Sequence, residues 1–235
     1  MQISNGVTTK ICFASIDVEN KGIEEVNQIL EVFKKYDIPA TLFVTGEVLE
    51  KYSDLVKEWS KNYEIASHSF THRFWNSLSF EERKTELDSF NELFQKVFQI
   101  SPKGFRAPSH VMDEDGLKIL EEKGFLYDSS ILPRYVPFKK YRGYQGRKPL
   151  LIHYPAGLKI LEIPVRGQLL GVPLAGAWIK GLPLFFYKFL FFIHSPSFIT
   201  LNMHSWDSLS FGFVGRLEKI IKLLKKKNYL FLNGE

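Results

Sequence analysis

Asp17-Val-Glu19 follows one short apolar run of this sequence, and His68-Ser-Phe-Thr-His72 follows another. Carboxylates placed directly after a buried strand cost free energy unless something pairs with them. A divalent metal together with an arginine would account for both; the alternative is a strand-end pair in solvent. Histidines at i and i+4 aim two imidazoles at one ion if their segment turns helically, and otherwise mark a surface turn. Cys12 is the only cysteine. A disulfide framework and a thiolate zinc site are therefore excluded, and any metal must be held by His, Asp or Glu. Arg106, Asp128 and His204 also lie in or just after apolar runs, which brings the polar residues at strand ends to seven. In an α/β barrel such ends converge on one mouth, where chemistry is done.

The runs that must carry these residues are 11–16, 40–44, 63–66, 105–107, 125–127, 160–165 and 198–203, each read as a strand. Between them, Ile23, Val26, Leu30 and Phe33 repeat with helical period behind Asn20 as an expected N-cap. Val48/Tyr52/Leu55/Trp59 and Leu87/Phe90/Phe94/Val97 predict two more amphipathic helices. Leu217/Ile220/Ile221/Leu224 predicts the last, with lysines 225–227 near its negative end. Strand–helix alternation argues for parallel strands with crossover helices, and about seven strands in one domain favour a closed or nearly closed α/β barrel over an open sheet. A single domain over 1–235 is expected, with an inserted basic and aromatic loop region at about 131–196.

Composition narrows the classes further. The chain has 235 residues, 45% of them hydrophobic, with 21 Phe and 10 Tyr that demand burial, so disorder is excluded. The first residues, MQISNGVTTK, lack a basic segment followed by an apolar one, so no signal peptide is read and the cytoplasm is expected. Of the net charge of +5, residues 129–206 carry ten Lys/Arg against one acid, Glu162. That segment would face phosphate, lipid head groups or nucleic acid, or else plain solvent.

The order SIDVEN (15–20), HSFTH (68–72), FRAPS (105–109), YDSS (127–130) and LNMH (201–204) resembles the five motifs of NodB-type polysaccharide deacetylases, carbohydrate esterase family 4. The likeness in order and spacing extends over nearly the whole chain, and LEIPV (161–165) resembles a branch of the family. It implies a distorted (β/α) barrel of about seven parallel strands and a divalent metal, zinc above all, with cobalt or another ion as alternative. It also implies His68 and His72 as metal ligands, Asp17 as general base and Arg106 as its partner. Asp128 would be the acid that orients the catalytic histidine, and His204 that histidine, the general acid. The commonest first motif has adjacent aspartates; here Val18 follows Asp17, and some relatives with Asp-x-acidic make Glu19 the third ligand. Pro108, Ser109 and Trp206 are taken as substrate contacts, Trp206 as an apolar wall for an acetyl methyl or else a structural tryptophan.

The implied activity is metal-dependent removal of an N-acetyl group from a sugar of a polysaccharide or glycolipid precursor. Alternatives are a deformylase or other small-amide hydrolase, and a metal-poor, non-catalytic carbohydrate-binding module. Nucleic-acid binding ranks last, because no phosphate loop or RNA-module motif supports it. His110, His153 and His194 follow no ligand spacing, although His110 follows the FRAPS motif on the mouth side, and Cys12 reads as a small core residue. Segment 178–193 packs seven aromatics with Lys180 and Lys188. It is read either as a barrel helix on the core or as a peripheral contact with the cytoplasmic membrane face. The second reading makes the substrate a lipid-linked or phosphate-bearing sugar.

Overall fold

Strand alternation does most of the positioning. In β1 (Lys10–Val18), the even residues Cys12, Ala14, Ile16 and Val18 join an outer core with Val26, Ile29 and Phe33 of α1 (Val26–Lys35) and Leu217, Ile221 and Leu224 of α8 (Phe213–Lys226). The odd residues turn the other way. Ile11 and Phe13 pack with Phe43, Ala66, Tyr127, Ile163 and Phe198 in an inner apolar floor, and Ser15 and Asp17 continue the same row toward one end.

The computed structural model describes residues 9–133, 143–165, 167 and 173–234. Of the expected basic and aromatic loop region, residues 134–142, 166 and 168–172 lie outside the described residues, and with them Arg134, Lys139, Lys140, Arg142 and Arg166. After β1 come β2 (Thr41–Val44), β3 (Glu64–Ser67), β4 (Gly104–Phe105), β5 (Tyr127–Asp128), β6 (Leu161–Glu162), β7 (Leu174–Ala175), β8 (Phe198–His204) and β9 (Tyr229–Leu232). They form one sheet in the order β6-β5-β4-β3-β2-β1-β8-β7, with β9 also on β1, and every named strand pair is parallel. The sheet curls but, among the described residues, β6 and β7 do not pair. This is the distorted barrel rather than a closed one. β7 and β9 escape the sequence reading: the first is only two residues long and the second alternates buried and exposed residues behind a basic helix.

The helices follow the apolar stripes with local corrections. The stripe from Val48 to Trp59 is broken at Tyr52 into α2 (Gly46–Lys51) and α3 (Ser53–Ser60). α1 starts behind Glu25, not Asn20, whose side chain instead donates to Glu47 at 3.0 Å. α4 (Phe80–Phe98) opens with a reciprocal capping box: Ser79 Oγ accepts from Glu82 N–H, and the Glu82 carboxylate accepts from Ser79 N–H. α5 (Glu114–Glu122) is capped by Asp113, and α6 (Gly176–Gly181) and α7 (Leu184–Ile193) occupy the aromatic segment.

Candidate active site

Glu19 follows Asp17 in the phase of the inward-facing row, so a spacing of two brings both carboxylates to the mouth at the end of β1. Asp17 is wholly enclosed. Nη1 of the fully buried Arg106 lies within hydrogen-bond distance of Asp17 Oδ1 (2.7 Å), Ser15 Oγ (2.8 Å) and Asn202 Oδ1 (2.9 Å). Nε and Nη2 of Arg106 donate to the Ser129 carbonyl and hydroxyl, both at 2.7 Å, and the guanidinium sits 4.1 Å from the Phe43 ring centre. A buried ion pair is tolerable only when its remaining hydrogen-bonding capacity is met, as it is here. Burial by itself would raise the Asp17 pKa. Arg106, with His68, His204 and His110 around it, outweighs burial and holds this carboxyl far below the usual range. Asp17 is ionised at any physiological pH.

Next to it lies a metal-ligand set. Glu19, His68 and His72 each bring a ligand atom within 4.8 Å of the others, with Glu19 Oε1 3.2 Å from His72 Nε2. His68 Nδ1 lies 2.7 Å from the Arg106 carbonyl, which can only accept, so the proton sits on Nδ1 and Nε2 is left to ligate. Burial pushes His68 down to about 3, which keeps it neutral as a ligand must be. Two imidazoles and one carboxylate suit a borderline divalent cation.

The segment that presents the histidines is a loop rather than a helical turn. Ser69 and His72 take left-handed backbone angles, φ 66° and 56°, which cost an L-residue roughly 1 kcal/mol or more each. Glu86, nearly two turns into α4, holds that loop shut. Its carboxylate accepts from Ser69 Oγ (2.9 Å), Phe70 N–H (3.0 Å), Thr71 N–H (2.8 Å) and Thr71 Oγ1 (2.5 Å).

On the facing side, His204 ends β8, with Nε2 3.9 Å from Asp17 Oδ2. The Trp206 indole stacks on its ring, 4.5 Å between centres at 21°. Gly22 (φ 75°) permits this turn to pack, because a Cβ there would lie 2.6 Å from the Trp206 backbone. Asp207 Oδ2 accepts the His204 backbone N–H at 2.8 Å and lies 3.7 Å from Nδ1, while its Oδ1 pairs with Lys180 at 2.7 Å. Burial would lower the His204 pKa, but Asp207, Asp17 and Glu19 together raise it. His110 completes the rim: Nε2 is 3.9 Å from Asp17 Oδ2 and 3.4 Å from Asn202 Nδ2, and its buried Nδ1 has no hydrogen-bond partner among the described residues. Burial takes His110 down to about 3.

One expected role moves. Asp128 does not face His204. Tyr127 belongs to the inner floor, so its neighbour Asp128 turns to the opposite side of the sheet, in register with Glu162. There Asp128 accepts from Ser130 Oγ at 2.6 Å, and burial raises both carboxyls of the pair. The acid beside the His204 imidazole is Asp207. Pro108, Ser109 and His110 form a single turn after Arg106, with Ser109 and His110 both at φ 57°. Ser15, Asn202, Ser129, Glu86 and Asp207 were missed in the sequence. Ser15 and Asn202 carried a usable signal, since each lies two residues before a mouth residue and therefore faces inward. His153 and His194 lie elsewhere, and Cys12 is buried on the outer face.

Residues 15–127 match the polysaccharide deacetylase family model. Chitin deacetylase 1 of Bombyx mori is 31% identical over 141 residues, 53% of this chain and 26% of that protein. The peptidoglycan deacetylase-like protein FGM2 of Gibberella zeae is 31% identical over 109 residues, 45% of this chain and 32% of the relative. The chain thus spans a third or less of the length of these two curated relatives. The solved structure of the peptidoglycan N-acetylglucosamine deacetylase Bc1960 has the same fold, with a TM-score of 0.67 at 20% identity over 97% of this chain and 88% of the other. The family match begins inside the strand that carries Asp17 and takes in Glu19, His68, His72 and Arg106 before it ends, so that over these residues the chain is similar to the polysaccharide deacetylases.

Proposed function

We propose that this protein removes the acetyl group from an N-acetylated sugar by hydrolysing its amide bond. The observation that carries the proposal is the placement of Asp17 Oδ2 3.9 Å from His204 Nε2, beside the Glu19–His68–His72 set. A base already ionised and an imidazole inclined to hold a proton flank one point, as amide hydrolysis requires. A divalent cation, zinc by the chemistry of its ligands, would be held by Glu19, His68 and His72 and would supply an acidified water and Lewis-acid polarisation of the amide carbonyl. Asp17 takes a proton from the attacking water; Arg106 and Asn202 fix the carboxylate while it does so, and Ser15 holds Arg106 and Asn202 in place. His204 Nε2 protonates the departing amine, a poor leaving group without that proton. Asp207 holds the His204 turn and favours its protonated form. Trp206 fixes the ring by stacking and offers an apolar wall to the acetyl methyl, with Pro108 and Ser109 as further substrate contacts.

The named relatives support the amide of an N-acetyl sugar over formamides, since they are described as deacetylases of chitin and peptidoglycan. The finer reading is a lipid-linked or phosphate-bearing sugar, handled at the cytoplasmic membrane face. It rests on the acid-poor, aromatic segment around α6 and α7. The test is acetate release from N-acetylated oligosaccharides with zinc or cobalt restored after chelation. Metal-dependent acetate release is expected; formate release from N-formyl sugars without any acetate would replace this reading with the deformylase.

A further inference from the structure

α7 has the sequence LFFYKFLFFI and, apart from Lys188, is apolar on every side. Its inner face, Tyr187, Leu190 and Phe191, is buried against the core and needs no other explanation. Its outer face does. Phe185, Phe189 and Phe192 recur at i, i+4 and i+7 and are 72%, 56% and 82% exposed, with Ile193 beside them at 53%. Trp178 on α6 is 45% exposed as well. A helix apolar all round is ordinarily buried all round, and an exposed aromatic stripe of this kind marks a contact surface.

Charge says what makes the contact. From residue 163 to residue 206 there is no acid at all, and from 180 to 226 there are only two, Asp207 and Glu218. Both are neutralised within the protein: Asp207 by Lys180, and Glu218 by Lys35 and Lys222. The cations remain. Lys188 is exposed on α7 itself, and Arg216 and Lys219 stand on α8 at the edge of a cleft of about 240 Å³ that Leu182, Leu184 and Tyr187 also line. Aromatic side chains bordered by lysine and arginine, with every nearby acid already paired, fit the head-group region of an anionic bilayer. A ten-residue helix is about 15 Å long against a hydrocarbon core of roughly 30 Å, so it can lie in the interface but not cross it.

The fold ties this face to the mouth. β7 runs parallel to β8 with Ala175 opposite Asn202, so α6 leaves the sheet at the level of the active site. Gly176 at its start abuts Asp207, and Lys180 binds the same carboxylate. We propose that the outer face of α6 and α7, with Lys188, Arg216 and Lys219, docks on an anionic lipid surface and presents the mouth beside it to a membrane-borne substrate. The second half of that statement rests on the deacetylase reading; the docking does not.

The experiment is co-sedimentation of the full chain with vesicles of phosphatidylcholine alone or mixed with phosphatidylglycerol. Turnover of a soluble N-acetylated oligosaccharide is followed in parallel. Wild type should pellet with the mixed vesicles and be released as salt rises. Phe185→Ser/Phe189→Ser/Phe192→Ser should weaken binding by roughly tenfold or more while leaving the melting temperature and soluble turnover near wild type. Lys188→Glu/Lys219→Glu, which alters exposed charge alone, should also cost roughly tenfold. Equal binding to neutral vesicles, or no loss in the lysine variant, overturns the proposal. So does a dimer, seen by light scattering, that ignores vesicles and dissociates in the phenylalanine variant, because a second copy would then be what covers the face. Vesicle binding without soluble turnover defeats the deacetylase reading and leaves the docking standing.

Discussion

His68 and His204 face each other across one mouth, and their surroundings drive the two imidazoles in opposite directions. Around His68 burial wins: the ring is neutral, with a pKa near 3, and its proton is tied to a backbone carbonyl. Around His204 burial loses to Asp207, Asp17 and Glu19, and the pKa rises. The first is thereby a lone-pair donor at any physiological pH and the second a proton donor. Nothing about the residue type distinguishes them. What differs is whether burial is outweighed: beside His68 only Asp17 and the Arg106 carbonyl oppose it, whereas Asp207, Asp17 and Glu19 together overcome it at His204.

The division can be broken from either side. The largest expected effect is on the proton-transfer side. Asp17→Asn and His204→Ala should each lower kcat by ~10²–10⁴-fold with bound zinc unchanged by elemental analysis. Loss of zinc from either variant, with its melting curve intact, would show that the two sides are not separate. On the ligand side, Glu86→Gln removes an acceptor from the loop that holds His68 and His72. We expect metal affinity to fall by roughly 10–100-fold in a calorimetric titration, with kcat at saturating metal much less affected.

Asp207→Asn probes the difference between the rings more finely. His204 carries its proton below its pKa, so the rate falls as pH rises through that pKa. Removing a carboxylate that raises the pKa should move the basic limb of the kcat/KM profile to lower pH. Asp128→Asn should leave that limb in place, because Asp128 faces Glu162 on the other side of the sheet; an equal shift would return the orienting role to Asp128. The smallest effect is expected for His110→Asn. It keeps a polar side chain near Asp17 and Asn202, should change kcat by no more than about tenfold, and should leave the basic limb where it is.

Much of the mouth was legible because strands enforce a period of two. Once the run before Asp17 is a strand, Glu19 must share its side. Asp128 was the exception, because the same rule needs a strand whose phase can be read. Tyr127 supplies the inner floor, so its neighbour cannot point inward, but a two-residue strand shows no alternation by which to tell its phase. Glu86 was hidden differently: on α4 it looks like any polar residue of an amphipathic helix, and only the loop folded over it gives it four donors.

The identities and order of the mouth residues, the parallel strands and the paucity of thiols are consequences of the chain itself, because side-chain chemistry and strand periodicity are local properties. Other features depend on which distant groups meet. Arg106 reaches Asp17 across the mouth, Asp207 rather than Asp128 stands beside His204, and His68 loses its charge while His204 tends to keep it. The aromatic segment also had to wait for the fold. Its composition is equally that of a core helix or of a surface one, and only packing decides that Tyr187 and Phe191 turn inward while Phe185, Phe189 and Phe192 are left outside. Burial and electrostatic fields are sums over neighbours that tertiary structure alone assembles.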